Sequence, residues 1–144
     1  HVMLHYDDDE DGQYGFPDED APVSVNGNIL VTPISLLPSL SVVDQFANSS
    51  RIRIDALYLD KTGFVVVHAD ENGTFGSVVG NTEPLVGYRE NVLVRISLQD
   101  ATSRFHVMLH YDNGDRAYYR GDEDAPVAVN GNIVVTPILL LQTP

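Results

Sequence analysis

The chain has no cysteine, which excludes disulfides, thiolate nucleophiles and zinc–thiolate sites. Cationic residues are scarce: 8 Lys and Arg stand against 21 Asp and Glu, Lys61 is the sole lysine, and the net charge is −13. Nucleic acids and anionic membrane surfaces both need a cationic footprint and are poor partners for such a chain. Cations, basic partners and high solubility suit it better. No apolar run approaches the roughly 18 residues of a membrane helix, and no charged n-region with an apolar h-region opens the chain. His1 stands where an initiator methionine would, as expected of a processed product or a segment of something longer. Also missing are a nucleophile elbow, a phosphate loop and a zinc-hydrolase motif, so the expectation is a protein that is not an enzyme.

What is present is a repeat. HVMLHYD at 1–7 returns at 106–112, and DEDAPVSVNGNILVTPISLL at 18–37 returns at 122–141 with three positions changed. The offset defines a unit of about 104 residues, the size of an ordinary single domain able to bury its own core. Residues 38–144 are then one complete repeat, and residues 1–37 the C-terminal part of a preceding one.

The pattern along the repeat is β. RIRIDALYLD (51–60) alternates Ile52, Ile54, Ala56 and Tyr58 against Arg51, Arg53 and Asp55, as a strand with one wet face does. GFVVVHAD (63–70), GSVVG (76–80), ENVLVRISL (90–98), RFHVMLHYD (104–112) and VAVNGNIVVTPILL (127–140) follow at turn-punctuated spacing. Asn26-Gly27, Asn72-Gly73 and Asn130-Gly131 predict tight turns, since both central residues of a type I′ turn need positive φ. No amphipathic helix is apparent. Short strands at this spacing within about 100 residues predict an all-β, immunoglobulin-like β-sandwich, with front strands from 38–105 and back strands from 106–141.

GFVVVHADENGTFGSVVGNTEPLVGYRENVLVRIS, FHVMLHYD, DEDAPV and VNGNIVVTP together resemble a tandem-repeat β-sandwich family of large archaeal and bacterial surface proteins. The resemblance covers about 51–137 and part of 1–33. It implies an extracellular, multi-copy setting and carries no enzymatic role.

Several groups of residues could hold a ligand. His106, Met108 and His110 fall on one face of a strand, and with His68 from a neighbouring strand they form an imidazole and thioether set suited to copper. The competing reading is a sheet that uses these residues only for packing and hydrogen bonding. In DDDEDGQYGFPD (7–18), Asp7, Asp9, Asp11 and Asp18 take EF-hand ligand positions around Gly12, which suggests calcium. The flanks are strands, however, and a solvated acidic hairpin loop explains the same letters. The acidic triplets at 18–20 and 122–124 could keep a sheet edge soluble. Asn48 and Asn72 head glycosylation sequons in predicted loops.

An incomplete sandwich at 1–37 would expose apolar strands and invite pairing with another copy of the chain. The functional expectation is a structural subunit of an extracellular filament, pilus-like fibre or sheath, assembled head to tail, with itself as partner. The alternative is a calcium-dependent adhesion module of a large surface protein.

Overall fold

The computed structural model describes residues 1–15, 19–46, 50–97, 103–115 and 118–141, and contains no helix among them. The chain divides into two units, His1–Ser35 and Leu36–Pro144.

The larger unit is organised by a single strand. Nothing in Lys61-Thr62-Gly63 forces a turn, so the two runs read from the sequence as separate strands are one, β7 (Arg51–Glu71). Straight, 21 residues would reach roughly 70 Å. The strand instead changes partners about a register shift between Leu59 and Gly63. Its first half lies between β5 (Ser39–Ser41) and β9 (Leu85–Arg95), both antiparallel to it. Its second half lies between β8 (Thr74–Asn81) and β10 (Arg104–Tyr111). From β10 the sheet continues to β13 (Val135–Leu141), which pairs in parallel with β6 (Gln45–Phe46). The strands are therefore not divided at residue 105: β10 bonds directly to β7, and both belong to one seven-stranded sheet with β5, β6, β8, β9 and β13. At the crossover a Cβ on Gly63 would run into the His110 carbonyl, so only glycine lets β10 approach there.

One core fills the unit. Ile52, Ile54, Leu57 and Leu59 from the first half of β7 meet Val65, Val67 and Ala69 from the second, with Val94, Phe105, Val107, Leu109 and Ile138. The predicted alternation is correct through Ile54 and then slips. Leu57 and Leu59 are buried while Ala56 and Tyr58 are only half-buried. The change of phase falls at the ladder step between Ile54↔Val92 and Ala56↔Glu90, where β9 carries Asn91 at φ 53°. The run Phe64–Val67 is buried on both faces, as a strand in the interior of a packed structure should be. Val65 and Val67 enter the core, and Phe64 and Val66 face the other way.

The hairpin turns follow the letters. Asn72-Gly73 joins β7 to β8, and Asn130-Gly131 joins β11 (Ala128–Val129) to β12 (Asn132–Ile133), all four residues at positive φ.

The smaller unit holds β1 (Val2–Met3) antiparallel to β4 (Val31–Thr32), and the hairpin of β2 (Ser24–Val25) with β3 (Asn28–Ile29) around Asn26-Gly27. It repeats part of the backbone bonding of its counterpart. Leu4 N–H donates to Leu30, Val23 N–H to Leu4 and Tyr6 N–H to Ala21, as Leu109 N–H does to Val134, Val127 N–H to Leu109 and Tyr111 N–H to Ala125.

Candidate functional site

The antiparallel register of β7 and β10 sets His106 opposite His68, Met108 opposite Val66 and His110 opposite Phe64. Strand alternation then puts all six on the face that points away from the core. Two aromatic rings cover it. Phe75 of β8 meets His106 edge-on at 5.2 Å and lies 6.2 Å from His68. Tyr119 meets His110 edge-on at 5.0 Å and Phe64 at 5.8 Å. Beneath them Met108 and His110 are buried.

The three histidines do not share one role. His68 Nδ1 lies 3.1 Å from the Gly76 carbonyl, and His110 Nδ1 lies 2.8 Å from the Asp124 carbonyl. A carbonyl oxygen only accepts, so each Nδ1 carries the hydrogen, and in the neutral ring each Nε2 is left with the lone pair. Both Nε2 atoms are buried with no hydrogen-bond partner among the described residues. A buried acceptor left so costs about 1–3 kcal/mol. The two rings stack at 5.8 Å between centroids, 29° from parallel. Burial holds the His110 imidazole below its ordinary pKa, against the upward pull of the Asp124 carbonyl, and nearby His68 lowers it further. His106 turns away from this pair: its Nε2 is 2.8 Å from Asp70 Oδ1. The Gly73 amide and His106 together hold the Asp70 carboxyl below the usual range.

Of the four residues predicted for copper, the structure thus brings His68 and His110 together beside Met108, and engages His106 with Asp70. Asp70, Phe75 and Tyr119 were not foreseen. For Tyr119 a signal existed: aligned position by position, the loops 8–15 and 113–120 are identical only at Tyr14 and Tyr119. Tyr14 packs edge-on against His5 at 5.0 Å, as Tyr119 does against His110.

The acidic loop of the smaller unit is organised by Asp20. Its buried carboxylate accepts from the Asp8 N–H at 3.2 Å and the Gly15 N–H at 2.5 Å, and its carbonyl faces His5 Nδ1 at 3.0 Å. Asp124 does the same with the N–H groups of Asn113 and Arg120. The last acid of each triplet is therefore a loop-building residue, which is a more specific role than keeping an edge soluble. Carboxylate oxygens of Asp7, Asp9 and Asp20 also lie within 4.8 Å of one another. Asp7 and Asp20 border an open depression that His5, Gln13 and Tyr14 line as well. Asp11 is outside this group and accepts from the Gln13 N–H at 2.6 Å, while Asp18 lies outside the described residues. In the larger unit Gly114 replaces Asp9, so the trio of carboxylates is not repeated.

Asn72 sits exposed at the tip of the β7–β8 hairpin, open to a glycan; Asn48 lies outside the described residues.

Comparison with known proteins adds a family and two relatives. A family model described as a domain of unknown function (DUF7282) matches residues 38–139. The chain is 32% identical over 130 residues to "Cell surface glycoprotein 1" and 30% identical over 129 residues to "Cell surface glycoprotein 2", both of Haloarcula hispanica. Each alignment covers 88% of this chain, which spans 13% of the relative's length. No solved structure matches.

Proposed function

This chain belongs to the DUF7282 family, and on that premise we propose that it is a non-catalytic structural module of a cell-surface protein. In this reading its β-sandwich repeats assemble head to tail into an extracellular filament, pilus-like fibre or sheath. The names of the two glycoprotein relatives support a place at the cell surface. One observation carries the assembly. Val2, Met3 and Leu4 are 53%, 43% and 56% exposed, whereas Val107, Met108 and Leu109, the same letters in the larger unit, are at most 2% exposed.

An exposed apolar strand edge is a template for another strand. In the complete unit Phe105–Tyr111 pair with Gly63–Ala69 and β8 holds the other edge of β7, so residues 2–5 join another copy by taking the place of its β10 or by adding to an outer strand of its sheet. That copy is a neighbouring repeat or a neighbouring molecule. Electron microscopy and light scattering of the purified chain, with limited proteolysis, test strand donation between molecules. Fibres with residues 1–35 protected are expected. A monomer whose first 35 residues are cleaved readily overturns it.

The convergence of Asp7, Asp9 and Asp20 favours a second reading, a calcium-dependent adhesion module. Calcium should then raise the melting temperature and Asp9→Ala should abolish the rise. A melting temperature indifferent to calcium in the parent chain dismisses it.

A further inference from the structure

We propose that the face of β7 and β10 beneath Phe75 and Tyr119 binds one soft monovalent metal cation of the copper(I) class, through Nε2 of His68, Nε2 of His110 and the thioether of Met108. The two nitrogens are the side-chain atoms that are buried without a partner among the described residues. Their opposite ring nitrogens are fixed by the carbonyls of Gly76 and Asp124, so both lone pairs are committed to the interior. Backbone support of the second ring nitrogen is how metal-binding histidines are oriented and kept in one tautomer. A ring separation of 5.8 Å is of the order that a shared ion requires, given metal–nitrogen bonds of about 2 Å. Met108, 2% exposed, stands between His106 and His110 on the same strand face.

The donor set chooses the metal. Two neutral imidazoles and a thioether add no charge and are soft, which suits copper(I) or silver(I) and not calcium or magnesium, whose ligands are oxygens. The nearby carboxylate, Asp70, is occupied by His106 and the Gly73 amide. Phe75 is 45% exposed and closes the face from the side of β8, giving an ion a short way in past one ring.

The test is copper(I) titration of the full chain against a chromogenic copper(I) chelator, under reducing and oxygen-free conditions, followed by X-ray absorption of the loaded protein. The comparison is His68→Asn/His110→Asn. An asparagine amide replaces Nδ1–H toward each carbonyl but removes Nε2, and the change leaves His1, Met3 and His5 untouched. The parent chain should hold one more copper(I) than the folded double variant and show nitrogen and sulfur neighbours. Met108→Leu, which conserves volume, should lower the sulfur contribution and weaken binding by roughly tenfold or more. Equal copper in parent and folded double variant overturns the proposal. If the double variant does not fold, Met108→Leu decides alone: unchanged sulfur neighbours and affinity overturn the site.

Discussion

Residues 2–4 and 107–109 are the same three letters, Val-Met-Leu, in the same backbone hydrogen-bond pattern, yet one set is largely exposed and the other buried. The difference is the neighbour. In the larger unit β10 has β7 along one edge and a core beneath it. The described residues of the smaller unit provide Val2–Met3 with β4 alone. Backbone shape is thus a local property of this sequence, held by the hairpin turns and by Asp20 or Asp124. Burial is not local. It depends on strands encoded some 40 residues away, and hydrophobic stabilisation follows burial and not letters.

The sharpest way to break the comparison is to truncate matched leucines. Leu109→Ala should cost about 2–5 kcal/mol in denaturant unfolding, through lost burial and the cavity left behind. Leu4→Ala should stay within about 0.5 kcal/mol in the dispersed chain. Equal costs would mean that the smaller unit buries its strand after all. Should the chain assemble, Leu4→Ala should reduce fibre formation while leaving the unfolding midpoint of the dispersed form alone.

Removing the loop-building acids should have a smaller effect. Asp124→Ala strips the Asn113 and Arg120 N–H groups of their acceptor, and should cost about 1–3 kcal/mol in global stability. Asp20→Ala removes the matching bonds to Asp8 and Gly15. Its effect should be faster amide exchange within 8–15, with no change in the midpoint of the larger unit. A shift of the global midpoint by Asp20→Ala would join the two units into one cooperative block.

The smallest effect separates the matched tyrosines, Tyr6 and Tyr111. Burial, together with a 2.7 Å hydrogen bond to Asp60, raises the Tyr111 phenol to about 12. The folded chain holds this proton more tightly than the unfolded one. The contribution of Tyr111 to stability is therefore full below the ordinary value of 10.0 and is lost as pH rises from there through about 12. Tyr111→Phe should remove the last-titrating component of the tyrosinate absorbance. Tyr6→Phe, which replaces an exposed ring, should leave that component in place.

Much of this was legible in the letters. Paired Asn-Gly steps specified tight turns because few other residues tolerate positive φ at both centres, and all three formed. The i, i+2, i+4 spacing of His106, Met108 and His110 placed them on one face because a strand repeats every two residues. Other features depended on distant partners. The alternation along β7 failed past Ile54, at the ladder step where β9 carries Asn91 at positive φ. His106 looked equivalent to His110, but the β7–β8 hairpin carries Asp70 to it and leaves His110 with a backbone carbonyl instead. Asp18 and Asp20 stand in one acidic run, and only loop closure made Asp20 the buried acceptor.

By itself, then, the sequence determined an all-β chain, its turns, its duplication and the residue types that could hold a metal, since each of these rests on local sterics or on side-chain chemistry. The tertiary structure decided which copy of the repeated strand is buried, which two of three histidines face each other, and that one strand, β7, pairs with four others. Those are outcomes of long-range pairing, and an isolated strand does not carry its partner's residues in its own letters.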